Sequence, residues 1–190
     1  MINKFFPAIR TQTTGHCGPT AMALCITVLT GKLVKPRDVC KAAGNRLSGF
    51  RTGLDEEELK TAARKYGIEA DLQLFDAKRK AITFLSEIVG HLMFNPNTGP
   101  VIVLVDDFSH WITILGYNHG KYLIRDSLEE ERPFNSWHMN TLLRRAWNEN
   151  EEGDTEPSQY FAIHTYRKDG KGPAIEITPE FIRKCKEGHK

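Results

Sequence analysis

No apolar run in the 190 residues approaches the length needed to cross a bilayer. The opening Met-Ile-Asn-Lys-Phe-Phe-Pro has neither a long apolar region nor a small-residue cleavage site. No signal peptide is therefore expected. The expected location is the cytoplasm, or outside the cell by a route that reads no such signal. Cysteine is scarce, at positions 17, 25, 40 and 185, with no CxxC and no Cys/His pair at zinc-finger spacing. That spacing argues against a structural zinc site, and the density argues against a disulfide framework. Reduced thiols, no metal and no cofactor are the expectation. Long blocks of like charge are also missing, and the net charge is only +2. Neither nucleic acid nor a membrane surface is called for. Internal repeats and low-complexity segments are absent as well.

What is present is ordinary globular material, 40% hydrophobic and 26% charged, enough for one sizeable core. Residues 1–166 are expected to form one domain. Residues 167–190 form an extension, helical from about 179.

The first half reads as helical. From Pro19, the residues Ala21, Leu24, Cys25, Val28 and Leu29 recur at helical spacing, and Gly31 ends the run. Pro36 to Ala43 is a second short helix, ended by Gly44. A loop over 47–53 leads to a third helix. There Thr52 with Asp55 suggests a capping box, and Glu56, Glu57 and Glu58 suit the first turn. Ile68 to Leu74 alternates as a half-buried strand, and Lys78 to about Leu92 is helical.

The second half reads as sheet. Val101 to Val105 is a continuous β-branched run, suited to a buried strand. A strand from His110, a turn at Asn118-His119-Gly120 and a strand from Lys121 to Arg125 follow as antiparallel neighbours. Trp137 to Trp147 is expected to be helical, 149–157 an acidic loop, and Tyr160 to Tyr166 a final strand. Helices first and antiparallel sheet second make an α+β domain.

Cys17 stands at the start of the first helix, where unpaired N–H groups and the helix dipole favour a thiolate. Gly18 lets the backbone approach a substrate, and Pro19 suits the first turn. Alone, Cys17 could equally be a small buried hydrophobe, which is the better account of Cys25 and Cys40. A thiolate nucleophile needs a base that can also protonate a leaving amine. Seven histidines compete. His110 begins a strand at the sheet rim and is the best placed. His16 adjoins Cys17, but neighbouring side chains at a helix start diverge. His119 sits in a turn, and His91, His138, His164 and His189 read as surface or packing residues. Asp126 lies about opposite His110 across the hairpin, placed to orient the imidazole. Gln12 could donate, with the Cys17 N–H, to a developing oxyanion.

These residues sit in Gln-Thr-Thr-Gly-His-Cys-Gly-Pro-Thr-Ala-Met-Ala-Leu and His-Trp-Ile-Thr-Ile-Leu-Gly-Tyr-Asn-His-Gly-Lys-Tyr-Leu-Ile-Arg-Asp-Ser. In motif order and hairpin spacing the chain resembles the C39-like branch of the papain-like cysteine peptidases, over roughly residues 10–166. The resemblance implies a papain-like fold, a helical half packed on an antiparallel sheet. It also implies a nucleophile at Cys17, a base at His110, an orienting Asp126, an oxyanion residue at Gln12 and a protein or peptide substrate. The Gln-to-Cys gap is five, one shorter than such enzymes commonly show. The 190 residues contain no ABC-transporter membrane or nucleotide-binding region, so they do not point to a transporter that processes bacteriocin leaders. The same parts would serve a glutamine deamidase or transglutaminase, or survive in a catalytically idle binding module. A metal site built from His110, Asp126 and Cys17 lacks a fourth ligand.

Overall fold

The structure, a computed structural model, describes residues 16–44, 53–128, 134–149, 158–178 and 180. Five helices and six strands are formed among them: α1 Cys17–Thr30, α2 Pro36–Ala43, α3 Glu56–Lys65, β1 Ile68–Phe75, α4 Ala81–Phe94, β2 Thr98–Val105, β3 His110–Asn118, β4 Lys121–Arg125, β5 Phe134–His138, α5 Met139–Ala146 and β6 Tyr160–Arg167. The strands make one antiparallel sheet in the order β1-β6-β2-β3-β4-β5.

Strand parity divides the core in two. Ile102 and Leu104 of β2, with Phe161 and Ile163 of β6, face α1, α2 and α3. Val101, Val103 and Val105, with Ile112 and Ile114 of β3, face α4 and α5. Both faces of β2 are therefore covered, and every residue of the strand is buried. This is the physical reason for its unbroken apolar run. Helix α1 is buried over Cys17–Leu29, so it shows no polar face. The helical half thus packs on the sheet as expected, and α4 and α5 cover the opposite face.

Helix boundaries follow their signals. Gly31 and Gly44 end α1 and α2 with φ of 70° and 91°, the left-handed region that glycine tolerates. The cap of α3 differs from expectation. Asp55 itself is the N-cap, its side chain accepting from the Glu58 N–H at 2.8 Å while Glu58 accepts from the Asp55 N–H at 3.1 Å. Thr52 lies outside the described residues.

Two further readings are corrected. Trp137 belongs to β5, opposite Tyr122 of β4, and the helix begins at Met139. Phe134 and Trp137 are buried while Ser136 and His138 are exposed. Burying Trp137 against Ile124 and Leu142 outweighs the local helical pattern. Leu74, assigned to the buried face of β1, is 49% exposed, because β1 is an edge strand.

Residues beyond β6 run back over α1. The Ala174 and Ile175 N–H groups donate to the Leu29 and Val28 carbonyls, and Ile175 and Ile177 pack on Leu24, Val28 and Leu123. Residue 179 and residues 181–190 lie outside the described set, as does most of the acidic loop over 149–157. Among the described residues no helix is long and apolar enough to cross a membrane.

Candidate active site

The site forms where three element ends meet: the start of α1, the start of β3 and the end of β4. Cys17 is the first residue of α1. His16 caps it in a right-handed helical conformation without a side-chain cap, and no acidic residue stands in the first turn. Nothing in that turn opposes a negative sulfur. Gly18 has a packing role. A Cβ there would lie 3.2 Å from both the Leu54 carbonyl oxygen and Trp111 Cδ1. The missing side chain lets β3 draw close to α1.

His110 is reached through a tight turn. Asp106, Asp107 and Phe108 have φ of 56°, 52° and 59°, three successive left-handed residues without glycine. Several contacts hold them there. The Asp106 N–H donates to the Arg145 carbonyl at 2.8 Å, and the Phe108 N–H donates to Asn148 Oδ1 at 2.7 Å. Asn148 is fully buried, and its amide donates to the Leu104, Ala146 and Gln159 carbonyls.

The β3–β4 hairpin turns at His119 and Gly120, both with positive φ, as a two-residue connection prefers. A bulge at Leu115 shifts the register so that Thr113 faces Arg125. Asp126 follows directly and reaches His110 diagonally. His110 Nε2 and Asp126 Oδ1 are 2.7 Å apart. The same Oδ1 accepts from the Leu128 N–H at 3.0 Å, so Asp126 also starts the turn after β4. With Nε2 on Asp126, the ring nitrogen left for other partners is Nδ1. The Cys17 sulfur lies close enough to His110, and to the Trp111 and Gly18 N–H groups, for each of them to favour its thiolate.

Electrostatics separates the cysteines. Burial pushes the Cys25 thiol up to about 12. Burial and the Glu58 charge raise that of Cys40. Burial acts upward on Cys17 too, but the His110 hydrogen bond, the Trp111 N–H, the His110 charge and the Gly18 N–H together outweigh it, and the thiol is lowered. Burial alone would lower the His110 imidazole. The Asp126 and Cys17 hydrogen bonds and their charges raise it instead, to about 9. Asp126, pushed up by burial, is held below the ordinary carboxylate range by His110, the Leu128 N–H and Arg145. The arrangement favours a thiolate beside an imidazolium.

Cys17, His110 and Asp126 are thus brought together. Gln12 lies outside the described residues, as do Cys185 and His189. His119 is exposed, whereas His91 and His164 are packed together with ring centroids 4.5 Å apart. Among the described residues no group of three or more His, Cys, Asp or Glu side chains could hold a metal ion. Arg145 and Asn148 escaped sequence reasoning. They lie more than thirty positions from the turn they hold, and no local pattern marks them.

No protein-family model and no curated protein matches the sequence. Solved structures do. A double glycine motif protease from an AMS/PCAT transporter, solved in complex with the leader peptide, superposes with a TM-score of 0.52 at 18% identity, over 80% of this chain and 87% of that one. The peptidase domain of Streptococcus ComA, a bi-functional ABC transporter, gives 0.54 at 14% identity, over 83% and 95%. The N-terminal peptidase C39 like domain of a toxin secretion ATP-binding protein from Vibrio parahaemolyticus gives 0.53 at 13% identity, over 83% and 99%. The chain has the papain-like fold of C39 peptidase domains.

Proposed function

We propose that the protein is a cysteine peptidase working through a Cys17–His110–Asp126 triad. The observation that carries this reading is Cys17 at the first position of α1 beside a histidine whose Nε2 meets a buried carboxylate at 2.7 Å. The Cys17 thiolate attacks the scissile carbonyl carbon, and the carbonyl electrons move onto oxygen. The N–H groups at the start of α1 face that oxyanion, with Gln12 as the assigned side-chain donor. Collapse expels the amine, which takes its proton from the His110 imidazolium and leaves a thioester on Cys17. His110, now neutral, takes a proton from water, and the hydroxide releases the acid and the thiolate. Asp126 holds the ring orientation and stabilises the imidazolium in both halves. A peptide substrate is supported by the leader peptide bound to one of the similar proteases.

The test is direct. The protein is incubated with a peptide library, and new N-termini are identified by mass spectrometry. Cleavage by the native chain that is lost in Cys17→Ala is the expected result. Cleavage that persists in Cys17→Ala, or none by the native chain, overturns the proposal.

A further inference from the structure

We propose that Arg145, in the last turn of α5, is a positioning residue that locks Asp126 against His110; this rests on the triad reading above. Its guanidinium meets both acidic groups on this side of the site. Nε donates to Asp106 Oδ1 at 2.9 Å, Nη2 contacts Asp106 Oδ2, and Nη1 lies 3.6 Å from Asp126 Oδ2. The plane itself is held, because it stacks over the Trp137 ring at 4.3 Å. Its backbone carbonyl accepts from the Asp106 N–H.

Two parts of the site therefore depend on one side chain. Asp106 opens the left-handed turn that delivers His110, so the fork on Asp106 fixes the entry of β3. Asp126 has its Oδ1 committed to His110 and the Leu128 N–H. Its Oδ2 faces Arg145, which opposes rotation of the carboxylate away from the ring. Asp106 shares the Arg145 charge, so Asp126 gains direction while keeping enough negative charge for His110. The titratable and charged groups facing His110 are Cys17 from α1 and Asp126 after β4. Arg145 of α5 acts through Asp126, and Asp106 of the turn meets Arg145 rather than His110.

A lysine cannot reproduce this. Its single ammonium cannot fork on Asp106 and reach Asp126 together. The test measures the rate of Cys17 alkylation by iodoacetamide from about pH 5 to about pH 10, with thermal melting alongside, in the native chain, Arg145→Lys and Arg145→Met. The expected result is a roughly tenfold loss of rate near neutral pH in Arg145→Met, with the thiolate forming at higher pH. A smaller shift in the same direction is expected for Arg145→Lys. A purely structural residue would lower the melting temperature and leave the pH profile in place, which overturns the proposal. If Arg145→Met does not fold, the lysine variant decides, and an unchanged profile overturns the proposal there too. A native Cys17 that reacts only as an ordinary thiol overturns the triad reading, and this inference with it. A reactive native Cys17 with an unmoved Arg145 profile overturns this inference alone.

Discussion

At the scale of the residue, burial acts upward on Cys17, Cys25 and Cys40 alike, and only Cys17 ends lowered. The difference is its partners, chiefly His110. Accessibility agrees: Cys17 keeps 9% of its surface exposed, against none for Cys25 and 2% for Cys40. Asp126→Asn tests the chain of influence. The amide keeps the size of the carboxylate and loses its charge, so His110 falls from about 9 toward its ordinary value. Alkylation of Cys17 near neutral pH is expected to slow by about tenfold or more. An unchanged rate would refute the role of Asp126. The sign for stability follows from the same shift. Raised in the folded chain, His110 contributes stability fully present below its unfolded value, and lost as pH rises through about 9. Cys17 was legible from its place at a helix start, and His110 with Asp126 from the symmetry of a hairpin. Arg145 was not, because the contact that matters crosses from α5 to the β2–β3 turn.

At the scale of the element, the reciprocal cap of α3 is the clearest local device. Asp55→Ala removes one half of it and is expected to cost about 1 kcal/mol, measured by chemical denaturation. A cost near zero would mean that the tertiary contacts of Leu59, Ala62 and Ala63 set the helix start by themselves. Helices and strands with strong punctuation were legible: Gly31, Gly44 and the His119-Gly120 turn all stand where the sequence puts them. Strand β5 was not. Among the described residues its only partner is β4, and its residues Asn135 and Ser136 break any apolar run. What makes it a strand is the free edge of β4 and the pocket for Trp137.

At the scale of the whole molecule, the core holds a second buried polar feature besides the site. His164 of β6 and His91 of α4 pack together on the α4 face. His91 Nε2 lies 3.1 Å from both the Gly99 and Thr165 carbonyls, so it carries the proton. His164 Nε2 is buried without a hydrogen-bond partner among the described residues. Burial and the nearby His91 charge lower His164 to about 4, against a small raising effect from Asp71, while burial lowers His91. The unfolded chain binds these protons first, so stability falls as pH drops from about 6.5 toward 4. His164→Leu is expected to remove on the order of 2 kcal/mol of that loss. Its melting temperature should gain on the native chain as pH falls from about 7 to about 5. A difference that stays constant with pH would contradict this. The layering itself was partly legible. The run in β2 announced a strand covered on both faces, but the sequence order of helices and strands did not say that α4 and α5 cross to the far side.

Everything proposed for the site turns on His110 lowering the Cys17 thiol below its ordinary range against the upward push of burial. Thiolate absorbance in the ultraviolet, taken against pH as the difference between the native chain and Cys17→Ala, measures this directly. In the native chain the signal is expected to rise below the ordinary thiol range and to be lost on acidification. In His110→Ala that signal should appear only at or above the ordinary thiol range. A native Cys17 that ionises like a free cysteine, or a titration that His110→Ala leaves unmoved, would contradict it.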